Sequence, residues 1–392
     1  MKNTQALYIF YEKNGIVRDD VLYYLKELNK EISNILIIVN GKITPEGRLK
    51  LEKEGYDILV RENKGLDFGG WKAGIEYLGW KKIQQLDGLL LCNCTCYGPI
   101  YPFNEMFRTM SEKDCDFWGI NRHPEMNIYL VPGDNRSKIL EHIQSYFLFF
   151  KPHLLKSNHF KKWWDELIEY SDYNYEVGLH ETKFTAYLEN AGYKSATYMD
   201  FEKYKKLLND NASLLLADEQ LIRDRNPLVK RRVFFLNNEQ WMNCCLGKIA
   251  KKILEYLLDC TTYNIDMIWN DLLSTQKMSV LRNNLHLNYY LPKDKKITKK
   301  TTKCKIGLVF FVYYDDLIEN CISYIKSIPQ YSNVYIISAK KDLLQVYKDK
   351  LKNCIFNVEY RLMENRGRDV AAYLVAASDV YSKNDYICCV HD

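Results

Sequence analysis

Apolar strand-like runs alternating with amphipathic helices restrict a chain to few architectures, and here one such order occurs twice. In the first stretch, "QALYIFY" is followed by "GIVRDDVLYYLKELNKEI", whose Val21, Leu25, Leu28 and Ile32 recur at helical spacing and predict one buried face. "NILIIVN" reads as a second strand, "RLKLEKEG" as a short helix, and "YDILVREN" leads into a Gly-rich turn. An amphipathic "GGWKAGIEYLGWKKI" and a buried strand, "LDGLLLCN", complete it. Far downstream, "KIGLVFFVYY", "LIENCISYIKSI", "NVYIISA", "KDLLQVYKDKLKN", "FNVEYRLMEN", "RDVAAYLVAASDVY" and "DYICCVHD" repeat the order. Such alternation predicts a parallel sheet covered on both faces, a Rossmann-like α/β layer, once in each stretch.

Both stretches carry the same polar turn, "ENKGLDFGG" at 62–70 and "ENRGRDVAA" at 364–372. A Gly two places before an Asp permits a tight turn, and Asn and Asp supply short polar arms. Each turn follows a strand's carboxyl end, where ligands bind in open α/β sheets. Asn63, Gly65 and Asp67 are therefore candidates for holding a nucleotide, with Tyr11 at the end of the first strand beside them. Gly69 and Gly70 are expected to let backbone approach the ligand. Asn365, Gly367 and Asp369 are the corresponding candidates in the second copy. The plainer reading is a strand-to-helix turn capped by Asp67.

The 392 residues suffice for more than one domain. The expected division is a first α/β domain at 1–235, a helical connector with a Lys-rich linker at 236–303, and half of a second α/β domain at 304–392. The linker, "LPKDKKITKKTTKCK", reads as a solvated connector, or more sharply as a segment drawn to an anionic membrane surface or a lipid pyrophosphate. A net charge of +5 is too small to argue for nucleic acid, and "RDRNPLVKRR" lacks the interleaved aromatics of a nucleic-acid face. No run approaches the ~18–20 apolar residues of a membrane span, and the first residues lack a signal peptide's apolar core. A cytoplasmic location is expected, with peripheral association at the inner face of the plasma membrane. Twelve Cys in mostly apolar contexts fit reduced, packed thiols.

Several stretches together resemble the rhamnan synthesis protein F family of bacterial polysaccharide glycosyltransferases. They are "VRENKGLDFGGWKAG", "YGPI", "DFWGI", "HIQSYFLFFKPHLLKS", "YEVGLHETKFTAYLENAGY", "YNIDMIWNDLL" and "MENRGRDVAAYLV…DYICCVHD". The resemblance covers nearly the whole chain and implies two GT-A-like units in tandem. It implies transfer of a sugar, often rhamnose and then from dTDP-rhamnose, to a lipid-linked, growing surface glycan. Two departures stand out. Cys94 occupies the place of the family's Asp before Tyr-Gly-Pro, and the chain stops at Asp392, where the family runs on. The second unit is therefore expected to be a truncated donor-binding half, and catalysis to fall to the first.

Nucleotide-sugar transfer commonly neutralises diphosphate with Mg²⁺ or Mn²⁺ on carboxylates after a buried strand. Aligning "LDGLLLCNC" with "NDYICCVHD" sets Asn93 opposite His391 and Cys94 opposite Asp392. Asp392 is thus the candidate metal ligand of the second unit. No metal is expected at Cys94, since a thiol is a poor Mg²⁺ ligand; Lys64, Arg61 or His142 would then carry the positive charge. Cys92, Cys94 and Cys96 share a strand face but lack a fourth zinc ligand, so packing is expected of them. Glu176 is the first candidate for the base that deprotonates the acceptor, with Glu181 and Asp116 behind it. His142 and Gln144 are read as polar positions on an apolar helix, facing a ligand or a buried hydrogen-bond network. An inverting glycosyltransferase is the leading reading. A non-catalytic nucleotide- or glycan-binding scaffold of a polysaccharide assembly complex is the alternative.

Overall fold

The structure, a computed structural model, describes residues 3–205, 218–236, 248–287 and 304–392. The chain divides into two compact units, Met1–Tyr290 and Leu291–Asp392.

In the first unit, strands β1 (Thr4–Phe10), β2 (Asn34–Asn40), β3 (Asp57–Arg61) and β4 (Gly88–Asn93) lie parallel. They alternate with helices α1 (Asp19–Leu28), α2 (Pro45–Lys53) and α3 (Leu66–Leu78). Every residue of β1 is buried, because successive side chains enter cores on opposite faces. Ala6, Tyr8 and Phe10 pack with Val21, Tyr24, Leu25 and Leu28 of α1, while Leu7 and Ile9 pack with Trp71 and Ile75 of α3. The four positions at helical spacing are all buried, although α1 ends at Leu28 and Ile32 lies beyond it.

The sheet continues past β4 in a way that departs from the sequence reading. The segment read as one apolar helix around His142 instead forms two strands. After the short β5 (Cys96–Tyr97), β6 (Phe117–Gly119) and β7 (Arg122–His123) come β8 (His142–Ile143) and β9 (Phe147–Phe150). β9 runs antiparallel between β4 and β6, and β10 (Ser195–Thr197) closes the order β10-β6-β9-β4-β1-β2-β3. An apolar run buried on both faces has the same composition in strand and helix, so periodicity could not separate them.

A two-stranded ribbon, β5 with β11 (Val229–Lys230), receives the helices Ile249–Cys260, Asp266–Thr275 and Met278–Asn284. Tyr97, Val229, Val233 and Phe234 share a core with Ile253, Leu257, Ile268 and Leu272. The described helices of the expected connector thus belong to the first unit. The Lys-rich linker lies outside the described residues except for Cys304 and Lys305.

In the second unit, β12 (Ile306–Phe311), β13 (Asn333–Ser338), β14 (Asn357–Leu362) and β15 (Tyr386–His391) form a parallel sheet in the order β14-β13-β12-β15. Among the described residues no helix is long and apolar enough to cross a membrane.

Candidate active site

The turn between β3 and α3 requires left-handed backbone at two successive residues, Gly65 (φ 68°) and Leu66 (φ 42°). Gly accepts this without strain, which explains its place two before the Asp. Asn40, buried at the end of β2, fixes the turn by donating to the Leu66 carbonyl at 2.8 Å and accepting from Arg61 at 2.9 Å. The sequence reading has Gly69 and Gly70 opening backbone to a ligand, but the space beside each is filled by the protein itself. A Cβ on Gly69 would lie 2.4 Å from the Lys64 carbonyl oxygen, and one on Gly70 2.6 Å from Ile9, so Gly69 serves the tight turn into α3 and Gly70 the close approach of α3 to the sheet. Asp67 is not the cap either. Gly65 holds that position, and Asp67 sits in the first turn of α3.

Asp67 points instead toward the carboxyl end of β4. Its Oδ2 accepts from Asn93 Nδ2 at 2.7 Å, and Asn93 Oδ1 accepts from Thr95 N at 3.1 Å and from Thr95 Oγ1 at 2.6 Å. Burial, reinforced by the nearby Glu181, pushes the Asp67 carboxyl up to about 6 although the Asn93 bond opposes this. A cavity of about 130 Å³ opens here, lined among others by Asp67, Asn93, Glu176, Glu181 and Lys230. It adjoins a larger one of about 1030 Å³, with Thr95, Tyr173, Val177, Glu181 and Lys230 in both walls.

A wide π-type turn, Val177–Glu181, follows the helix Tyr173–Glu176 and keeps both glutamates on the small cavity's wall. Their environments differ. Glu176 is buried, accepts from Tyr170 N at 3.1 Å through Oε2, and has no partner for Oε1. Burial pushes it up to about 8, so it holds its proton at neutral pH. Burial also raises Glu181, but His142, Lys230 and the Ser145 hydrogen bonds outweigh it and hold this carboxyl below the ordinary range. Ser145 donates to Glu181 Oε1 from Oγ at 2.7 Å and from N at 3.2 Å.

The other sequence candidates fall at several places. Asp116 precedes β6, level with the beginning of β4, and so lies at the sheet's opposite, amino-terminal edge. There it accepts from Lys194 N at 2.9 Å and bonds His153 at 2.6 Å, far from a role in this cavity. His142 lines the larger cavity stacked on His123, ring centres 5.3 Å apart. Its Nδ1 donates to the Leu140 carbonyl at 2.7 Å, and burial lowers its affinity for a proton. Asn63 is exposed and lines neither cavity. Tyr11 is half exposed, and its backbone meets the Cys94 thiol: the amide donates to Sγ at 3.3 Å and the thiol to the carbonyl at 3.4 Å. Lys64 is exposed, and Arg61 is engaged with Asn40 and Glu169.

The end of β4 does not suit a divalent cation. Asn93 is engaged with Asp67 and Thr95, and burial raises the Cys94 thiol so that it stays protonated and bonded to Tyr11. Among the described residues no three His, Cys, Asp or Glu side chains gather as a metal set, in either unit. The three cysteines Cys92, Cys94 and Cys96 pack in one hydrophobic core.

The Rhamnan synthesis protein F family model matches residues 35–392. This chain belongs to that family. It is 26% identical over 190 residues, 48% of this chain and 46% of the other, to an uncharacterized protein, y4gN, of Sinorhizobium fredii. The chain therefore spans about half the length of that curated relative. Among solved structures it is similar to the apo-form glycosyltransferase GlyE of Streptococcus pneumoniae, at 13% identity, covering 100% of this chain and 86% of that one, with a TM-score of 0.30. It is also similar to glucosyl-3-phosphoglycerate synthase of Mycobacterium tuberculosis in complex with Mn²⁺, UDP-glucose and phosphoglyceric acid, at 8% identity, covering 39% and 58%, with a TM-score of 0.25. Similarities this slight say nothing about chemistry.

In this family member the basic residues at the end of "RDRNPLVKRR", Lys230, Arg231 and Arg232, all line the larger cavity. Arg231 is held by a buried network. Asp271 accepts from its Nε at 2.9 Å and its Nη2 at 2.7 Å, Arg18 lies 3.2 Å from the same carboxylate, and Tyr97 donates to it. In the second unit the turn again uses two left-handed residues, Gly367 (φ 83°) and Arg368 (φ 51°). Asn365, Arg368, Asp369, His391 and Asp392 line a cavity of about 390 Å³. Asp392 Oδ2 accepts from Tyr313 N at 2.6 Å and Tyr314 N at 2.7 Å.

Proposed function

We propose that the first unit transfers a sugar, rhamnose in the family's pattern, from a nucleotide-sugar donor to a growing surface polysaccharide. The observation that carries this reading is the meeting of Asp67, Glu176, Glu181 and Lys230 at one cavity, at the carboxyl end of parallel strands and open to a volume of about 1030 Å³. Such edges are where α/β sheets take nucleotides, and the volume suits a nucleotide sugar with part of an acceptor.

Inverting transfer needs one ionised base and no second carboxylate nucleophile, and the two glutamates divide accordingly. Glu181, kept ionised, takes the proton of the acceptor hydroxyl as that oxygen bonds to C1 of the sugar. The bond from C1 to the diphosphate breaks, its electron pair leaving on the phosphate oxygen. Glu176, protonated at neutral pH, is available to donate a hydrogen bond rather than accept a proton. Asp67, Asn93 and Thr95 hold the donor, and the second unit's turn with Asn365, Gly367 and Asp369 is a further nucleotide-binding half. Acceptor and donor meet on the cytoplasmic side of the membrane in this reading, with the glycan carried on a lipid.

Incubation of the purified chain with dTDP-rhamnose and UDP- and GDP-sugars tests this by release of nucleoside diphosphate. Release that depends on Glu181 supports transferase chemistry. Tight nucleotide binding with no release under any donor favours the scaffold reading.

A further inference from the structure

Close to the end of β4, where Cys94 takes the position that Asp392 holds in the second unit, lies a cation of the chain itself. β11 pairs antiparallel with β5, setting Lys230 opposite Cys96, and Arg231 N donates to the Thr95 carbonyl at 3.0 Å. This ladder carries Lys230 over the end of β4. Its ammonium lies 3.3 Å from Thr95 Oγ1 and 4.2 Å from the centre of the Tyr146 ring. Arg232 follows on the wall of the larger cavity, beside Tyr173. Arg231, between them, is neutralised by Asp271. Among the described residues neither Lys230 nor Arg232 is in an ion pair. Lys230, which touches the Thr95 hydroxyl, and Arg232, which donates to the Tyr173 hydroxyl, thus face a cavity of nucleotide-sugar size, while the neighbouring Asn93 and Cys94 side chains are already engaged.

We propose that in the first unit Lys230 and Arg232 bind the donor's diphosphate in place of a divalent cation and stabilise the charge that collects on it as the sugar leaves. This rests on the transferase reading above. An ammonium and a guanidinium suit the task as a point charge and a planar fork, both strong partners of phosphate oxygens. When the bond from C1 to oxygen breaks, the electron pair settles on the diphosphate, and both side chains keep their protons and donate hydrogen bonds to it. The arrangement supplies the positive charge without any ligand from Cys94.

Calorimetric titration of the full chain with dTDP, UDP and GDP, in EDTA and in MnCl₂, tests the proposal. An Asp369→Ala background removes a contribution from the second unit's turn. At least one diphosphate should bind equally well in EDTA and in Mn²⁺. Lys230→Met and Arg232→Met should each weaken it by about tenfold, as expected for one charge-assisted hydrogen bond, while binding of the matching nucleoside stays unchanged. Lys230→Arg should recover most of the loss, which separates lost charge from lost folding. Binding that disappears in EDTA, or that survives both Met substitutions, overturns the proposal and leaves the transferase reading standing. No binding of any of the three diphosphates overturns both.

Discussion

In both units a parallel strand ends beside a polar side chain that binds back onto the exit of the first strand, but the chemistry of that side chain differs. Ile9 pairs with Asn93 in one sheet and Phe311 with His391 in the other, so Cys94 and Asp392 hold equivalent positions. Cys94 Sγ accepts from Tyr11 N, and Asp392 Oδ2 accepts from Tyr313 N and Tyr314 N. The turns match as well, each with two consecutive left-handed residues before its Asp. Around this shared frame the charges diverge. The first unit brings Lys230 and Arg232 to the site from a ribbon more than a hundred residues away in sequence, while the second sets Asp369 and Asp392 beside Arg368. A duplicated backbone frame therefore does not imply duplicated chemistry, because the frame places polar groups and distant segments decide their charge.

Turnover is expected to separate the two units most. Glu181→Gln should lower sugar transfer by about 10²–10⁴-fold if this carboxylate is the base. Asp67→Ala should abolish transfer, while Asp369→Ala should leave it within about twofold, the ordinary scatter of a surface change. A chain that loses transfer through Asp369→Ala alone would have its active site in the second unit.

Stability separates the units next. Asp271 is fully buried between Arg18 and Arg231; Arg18 keeps Asp20 as a partner, but Asp271→Ala strands the Arg231 guanidinium and should cost about 3 kcal/mol in the first unit's urea transition. The second unit's Asp379, with Arg361 and Lys383, is solvent-exposed, and Asp379→Ala should barely move its transition. Equal losses in the two variants would contradict the contrast.

A pH series sharpens it further. Glu176 binds its proton more tightly folded, at about 8, than at its ordinary 4.5. The folded first unit therefore holds this extra proton between these values, so the stability that Glu176 contributes should fall as pH rises from about 4.5 to 8 and then level off, while His123, His142 and His180, whose burial lowers their proton affinity, act in the opposite sense below about 6.5. Asp67 adds to the fall between 3.8 and about 6. Glu176→Gln should flatten the upper part of this slope, read from urea midpoints at pH 5, 7 and 9. An unchanged slope would show that the carboxyl is not held protonated.

The smallest effect tests what the units share. Gly65→Ala and Gly367→Ala should each cost about 1–2 kcal/mol, the penalty of a left-handed backbone for a residue with a Cβ. A cost in one unit alone would mean that the two turns do not share a conformation.

Much of the frame was legible in the residues alone. Local patterns determined the strand–helix alternation, the buried face of α1, the position of both turns and the register that sets Cys94 opposite Asp392, because period and turn chemistry act over a few residues. The apolar run at Phe147–Phe150 escaped, since an element buried on both faces loses its period and its state is decided by the strands on either side. Asp116 looked like a site residue until strand direction put it at the far edge of the sheet. Glu176 and Glu181 are alike in sequence. Only packing decides that one keeps a proton and the other does not, because pKa depends on the burial and partners that distant segments supply. Lys230 and Arg232 were visible as a basic run without a purpose, and the pairing of β11 with β5 is what carries them to the end of β4. Backbone conformation is encoded locally, whereas the electrostatics of a site belong to whatever the completed fold brings within a few ångströms of it.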